Sequence, residues 1–370
     1  MTRVLVARQD NLGDVLLAGP CVRAVAASGA EVTLLTGPHG RPAGELLPGV
    51  ADLLTWTAPW IDPDPPPVTA EDTGAFVSLI RSKSFDRALI LTSFHQSPLP
   101  LALLLRQAGV PWIGAISEDY PGSLLDLRHH VDGDPPEPVR MLSLAEAAGF
   151  SLPPDDHGAL ALRRPLPNTS RLTGGGAYIV VHPAASVPAR QPSAAWSRET
   201  VRALAADGHR VLVTGAPSER ALTQEVAGTS AVNLGGRTSL AELAAVLSGA
   251  RVVVAPNTGP AHLAAAAGTP VVSLFAPVVP QERWAPYGVP TVVLGDQHAP
   301  CRASRARVCP VPGHPCLDTI DPADVCRAVT ALALPGAVVP ESAEMTVTSG
   351  TSSRAGGFAT RTPEKQAQSR

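Results

Sequence analysis

The chain has 370 residues, 45% hydrophobic but only 4% aromatic and 16% charged, with a formal net charge of −3. At about 150 residues per domain this length implies two cores rather than one, and the aliphatic content excludes global disorder. The near-balanced charge gives no electrostatic basis for wrapping nucleic acid or for strong attraction to a membrane, so the expected partners are small molecules and not nucleic acid.

The first apolar run meets Arg8 and Asp10 after a few residues, too short for a signal-peptide core, so secretion by that route is not expected. Short aliphatic runs then alternate with amphipathic segments, the pattern of βαβ units around parallel sheets. Strands are predicted at 4–7, 32–35, 88–91 and 112–116, with helices between them. The run from Asp62 to Pro67 reads as an extended loop. From 151 to 176 the apolar rhythm stops, with Pro153, Pro154, Pro165 and Pro167 followed by Gly174, Gly175 and Gly176, the signature of a linker.

A second alternating set follows, with strands predicted at 178–181, 211–214, 252–255, 271–274 and 291–294. Helices are predicted after Ser193, after Ser218, and over 239–249, 260–267 and 322–333, with Ser239 and Glu242 spaced as a capping box. The stretch 252–281 carries no formal charge, yet Pro256, Pro260, Pro270, Pro277 and Pro280 break it into strand, helix and strand rather than a membrane span. The predicted organisation is an N-terminal α/β domain (1–165), a linker (166–176), a C-terminal α/β domain (177–335) and a disordered tail (336–370) poor in large apolar groups.

Several loops that follow strands carry residues suited to chemistry. Gly13 and Asp14 come just after the first strand, ahead of a helix-like run from Val15, at the edge where open α/β sheets bind ligands. Gly13 permits close backbone approach, and Asp14 would either accept a proton from a substrate hydroxyl or stabilise the helix start. Asn257, Thr258 and Gly259 form a turn into a helix with Pro260 near its first position. Its free backbone donors suit a diphosphate, with His262 adding one more, although Asn257 or Thr258 as a simple N-cap is the alternative. After the strand at 178–181, Ser186 and Arg190 could meet the same phosphates. The chain has only two lysines, Lys83 and Lys365, against 27 arginines, so a single arginine carries little weight. Glu219, at a helix start, would hold ribose hydroxyls or act as a first-turn carboxylate.

Other motifs are demoted. The pairs Asp62/Asp64 and Asp132/Asp134 imitate a metal signature without following a convincing strand. The spacing of Cys301, Cys309 and Cys316, near His314, fits no standard zinc site, and five cysteines in all argue for reduced thiols in a cytoplasm. Neither a GxGxxG fingerprint, a GxSxG elbow nor a P-loop is present.

Taken in order, Gly13-Asp14 with the following 15–20 segment, His182 to Ser186, Val213-Thr214-Gly215, and above all Asn257 to Ala266 resemble glycosyltransferase family 9, the heptosyltransferase-like proteins, especially their actinobacterial members. The resemblance covers about residues 1–335 and implies a GT-B fold, two facing Rossmann-like domains with the active site in the cleft between them. It implies transfer of a heptose-like sugar from a nucleoside-diphosphate donor to a hydroxyl acceptor, with inversion, no metal and no cofactor. Asp14 would be the general base beside Gly13 on the acceptor side. Ser186, Arg190, Glu219, Asn257, Thr258, Gly259 and His262 would bind the donor. Asn257 departs from the aspartate usual in the family, and Arg190 stands where lysine is common. The acceptor would be a glycan, a lipid-linked glycan or a secondary metabolite, in the cytoplasm or with peripheral contact at the inner face of the membrane. Two rivals share this architecture, a nucleotide-sugar epimerase and a non-catalytic nucleotide-sugar-binding protein.

Overall fold

The computed structural model describes residues 1–333, and the tail expected over 336–370 lies outside them. One sheet contains β1 (Arg3–Ala7), β2 (Glu31–Thr36), β3 (Asp52–Thr55), β4 (Arg87–Ile90), β5 (Trp112–Ile116) and β6 (Leu127–His129) in the order β3-β2-β1-β4-β5-β6. The other contains β7 (Ile179–Val181), β8 (Val211–Val213), β9 (Val232–Asn233), β10 (Val253–Pro256), β11 (Val271–Leu274) and β12 (Thr291–Leu294) in the order β12-β11-β10-β7-β8-β9. All ten pairings are parallel. Read from its β9 edge, the second sheet repeats the order of the first. Each half is therefore doubly wound, with its ligand crevice expected where the order reverses, between β1 and β4 and between β7 and β10.

The central strands read as unbroken aliphatic runs because helices cover both sheet faces. Alternation along β1 sends Val4 and Val6 into one buried cluster and Leu5 and Ala7 into another. In the second sheet Val180, Val253 and Ala255 join the cluster that holds Val4 and Val6, so one apolar core runs from half to half. Two helices connect it, Leu12–Leu17 after β1 and Gly259–Ala267 after β10, which contribute Leu16, Leu17, Ala261 and Leu263.

All nine predicted strands are present. Three more, β3, β6 and β9, were not anticipated, and each lies at a sheet margin with partly exposed residues. A margin strand pairs on one side only and does not need a continuous aliphatic run. The Leu12–Leu17 helix starts three residues ahead of the expected Val15, taking Gly13 and Asp14 into its first turn. The Ala194–Ala206 helix is capped by Ser193, and the capping box of Ser239 and Glu242 forms. The helix after Ser218 begins as a 3-10 turn, Pro217–Glu219, before Arg220–Ala227. The uncharged stretch 252–281 is strand, helix and strand, and among the described residues no helix is long and apolar enough to cross a membrane.

The two halves touch at glycines. A Cβ on Gly13 would lie 3.0 Å from His262 Cδ2 and 3.3 Å from Gly259 Cα, and one on Gly259 would lie 2.9 Å from Leu12 Cδ2. Gly13→Val, which adds branched methyls against that backbone, should destabilise the protein by about 1–3 kcal/mol through overpacking. Urea denaturation measures this, and wild-type stability would mean that the two helix starts separate without penalty.

Candidate active site

β1 is followed by Arg8, whose side chain is fully buried although it carries a charge. Such a group persists inside a protein only when it is paired. Its Nη2 donates to Asp14 Oδ1 and to Ser93 Oγ, both at 3.0 Å, and its Nε lies 3.1 Å from Asp10 Oδ2. Asp10 is held in turn by Gln96, whose Nε2 donates to Oδ1 at 2.5 Å while its Oε1 accepts from Ser93 N at 3.0 Å. The Glu137–Ala147 helix adds Glu137 and Arg140, 3.5 Å apart, and Arg140 Nη1 donates to Thr92 O at 2.7 Å.

Burial would lower the Arg8 pKa, but Asp10, Asp14 and Glu137 outweigh it and hold it above the ordinary arginine value. Burial also pushes the Asp10 and Glu137 carboxyls above the usual carboxylate range, against the pull of Arg8. Of the three carboxylates Asp14 is the most open, its side chain 19% exposed against 9% for Asp10 and 0% for Glu137.

Facing this cluster is the start of the Gly259–Ala267 helix. Thr258 has the extended backbone of an N-cap, yet its side chain makes no capping bond. Asn257 Oδ1 instead accepts from Ala276 N at 3.3 Å, so neither residue serves as the simple N-cap considered from the sequence. Asn257 Nδ2, His262 Nδ1 and Arg190 Nε are buried without a hydrogen-bond partner among the described residues. A helix N-terminus with uncapped donors and a nearby guanidinium is suited to an anion.

Arg190 sits in the 3-10 turn Pro188–Arg190, fixed by Ala189 N donating to Arg307 O at 3.0 Å and by His314 Nε2 lying 3.1 Å from Ala189 O. Burial lowers its pKa, and the charge of Asp14 acts against that. His262 is pushed down to about 4, first by burial and then by Arg190. The fold thus brings Gly13, Asp14, Arg190, Asn257, Thr258, Gly259 and His262 to one cleft.

It treats two candidates differently. Ser186 stands exposed on the loop after β7. Glu219 Oε2 accepts from Ala216 N at 2.7 Å and lies 3.9 Å from His182 Nε2, so the first-turn role read from the sequence is realised. His182, bonded through Nδ1 to Thr214 Oγ1 at 3.0 Å, is pushed by burial to about 4. Asp62 Oδ1 caps its own turn at Asp64 N, and Asp134 pairs with Arg283. Sequence reasoning missed Arg8, Ser93, Gln96, Glu137 and Arg140. A signal existed for Arg8, which directly follows a buried strand and has carboxylates two and six residues on, but the arginine-rich composition masks it.

His182 and His262 are neutral in the folded protein at pH 7, whereas an unfolded histidine titrates near 6.5. Between about 6.5 and 4 the unfolded state binds more protons, so each imidazole contributes stability above that window and loses it on acidification. The full effect is on the order of 3 kcal/mol per histidine. His182→Asn should therefore lose less unfolding free energy than wild type between pH 7 and pH 5 in urea titrations. Identical losses in the two proteins would show that His182 is not held neutral.

A model of glycosyltransferase family 9 (heptosyltransferase) matches residues 74–314. Lipopolysaccharide heptosyltransferase 1 of Salmonella typhimurium is 27% identical over 294 residues, covering 75% of this chain and 89% of the relative. Among solved structures, E. coli ADP-heptose lps heptosyltransferase II is similar with a TM-score of 0.68 at 18% identity, over 90% of this chain and 98% of that one. E. coli heptosyltransferase WaaC with ADP-2-deoxy-2-fluoro heptose gives 0.67 at 22% identity, over 89% and 99% of the two chains. At these identities the structures establish the architecture, which is the GT-B fold. The family match begins beyond Asp14, whose place in the cleft rests on the geometry above. Because that match runs from the first half deep into the second, across both sheets, the chain belongs to glycosyltransferase family 9, the heptosyltransferases, and is a glycosyltransferase.

Proposed function

We propose that the protein moves a heptose-like sugar from a nucleoside-diphosphate donor, ADP-heptose being the first candidate, to a hydroxyl acceptor by metal-independent displacement with inversion. The observation that carries this reading is the opposition of Asp14 to Arg190 and the uncapped Thr258–His262 helix start. A proton acceptor stands on one side of the cleft and anion-binding donors on the other. Residues 1–165 form the acceptor half, 166–176 the linker and 177–335 the donor half.

In the reaction the acceptor oxygen bonds to the anomeric carbon as its proton passes to Asp14, a general-base step. The bond from that carbon to the diphosphate oxygen breaks, and the electron pair leaves with the diphosphate. The helix-start N–H groups, Thr258, Gly259 and Arg190 stabilise the departing charge, and neutral His262 contributes a hydrogen bond rather than a cation. Ser186 reaches the phosphates from its exposed loop, Asn257 contacts the sugar through Nδ2, and Glu219 meets ribose hydroxyls through Oε1. Closure of the halves aligns the reactants and excludes water. The acceptor is a glycan, lipid-linked glycan or secondary metabolite, and the setting is the cytoplasm, at the inner membrane face where the acceptor is lipid-linked.

Thermal stabilisation by a panel of nucleoside diphosphates and their sugars without added metal tests the donor site. Ligand at about 100 times its Kd stabilises by about 2.7 kcal/mol. A shift selective for one base, abolished by Thr258→Val together with His262→Ala, is expected, and no shift at millimolar ligand would remove the donor site. Asp14→Asn should keep that shift while transfer falls by about 10²- to 10⁴-fold. Transfer at the wild-type rate would exclude Asp14 as base. A new sugar isomer made without acceptor would identify an epimerase, and binding with neither transfer nor hydrolysis a binding protein.

A further inference from the structure

We infer that Arg8 is a positioning residue for the transfer step, gripping Asp14 Oδ1 so that Oδ2 is presented to the acceptor hydroxyl. This rests on Asp14 acting as the base. Arg8 is fully buried and cannot meet a substrate, so whatever it contributes to the reaction passes through the groups it touches.

An aspartate in the first turn of a six-residue helix, its side chain 19% exposed, would otherwise turn freely about its side-chain bonds. Here Nη2 holds Asp14 Oδ1 and Ser93 Oγ at 3.0 Å each, while Nε faces Asp10 Oδ2 at 3.1 Å. The guanidinium is planar, and two hydrogen bonds from Nη2 with a carboxylate beside Nε fix its rotation as well as its place. Those contacts are themselves fixed. Gln96 ties Asp10 to the backbone of Ser93, so the loops after β1 and β4 form one unit around the arginine.

The same cation serves more than one carboxylate. Arg8 divides its charge between Asp10 and Asp14, and Glu137 adds a third carboxylate to its field. Asp14 is thus oriented by a cation whose field is shared with Asp10 and Glu137. Lysine at this position would supply charge at a single point, without the planar geometry that orients Asp14.

The test follows ADP release from ADP-heptose, with water and with the most active acceptor of a sugar panel, in wild type, Arg8→Lys, Ser93→Ala, Asp14→Asn and the two double variants with Asp14→Asn. ADP-induced thermal stabilisation serves as the check of folding. We expect Arg8→Lys to lower kcat by roughly 10- to 100-fold, the scale of a misplaced catalytic group. KM for ADP-heptose and the ADP shift should stay at wild-type values. Ser93→Ala leaves the charge in place and should lower kcat several-fold, which keeps the question answerable if Arg8→Lys does not fold. In the Asp14→Asn background both losses should vanish, since residues that act through one another are not additive.

Wild-type kcat in Arg8→Lys and Ser93→Ala overturns the positioning role, as does a loss that multiplies with Asp14→Asn, which a purely structural tie would give. Asp14→Asn at the wild-type rate, or no ADP release from wild type, overturns the base or the transferase reading instead, and Arg8 falls with it.

Discussion

The close approach of two helix starts, at Gly13 and at Gly259, is the constraint on which the cleft depends. A Cβ at either would lie within about 3 Å of a side-chain atom from the opposite half. Because they are glycines, the loops after β1 and β10 can present their contents to the same small volume. Asp14 is one residue from this contact and His262 touches it. Each helix start also carries the positive end of its macrodipole and unpaired N–H groups, so the junction has an intrinsic preference for anions before any side chain is counted.

Around that junction the two halves hold opposite chemistry, and burial decides the state of each group. The first half gathers Asp10, Asp14 and Glu137 around Arg8 and Arg140, with the arginines pairing carboxylates of which only Asp14 is appreciably open. The second half offers donors: backbone N–H groups, Arg190, and two histidines that burial keeps neutral. At the rim Arg283 crosses between halves, its Nε donating to Asp134 Oδ1 at 2.7 Å while its guanidinium lies 4.3 Å from the Phe94 ring centre. In the proposed reaction the two halves supply the separation of roles that a displacement requires, a proton acceptor on one side and donors for the leaving group on the other.

The repeated strand order explains why both loops end at the cleft. In each half the first and fourth strands are neighbours whose following connections diverge, leaving a crevice at their carboxyl ends. The site takes Arg8, Asp10 and Asp14 from the loop and helix start after β1, Ser93 and Gln96 from the loop after β4, Glu137 and Arg140 from the helix after β6, Arg190 from the loop after β7, and Asn257 to His262 from β10 onward. The edge strands β3 and β9, which the sequence pattern did not reveal, contribute none of these residues.

Much was legible in the sequence because its determinants are local. An aliphatic run buried on both faces, as in β1 or β10, declares itself in five residues, and Ser239 with Glu242 declares a helix start in four. The turn from Asn257 to His262 was readable for the same reason, since a strand end, an uncharged turn and an early proline together specify a helix with free donors. What tertiary structure alone decided is what each polar side chain meets. Asn257 bonds Ala276 rather than capping its helix, and Glu219 serves a backbone donor in its own turn. Arg8, masked in the sequence by the many other arginines, became the centre of the first half because Ser93, 85 residues later, and Glu137 were folded against it. Periodicity and capping act over a few residues, whereas the energy of a buried charge is set by every group packed around it, and those neighbours exist only once the sheet has paired.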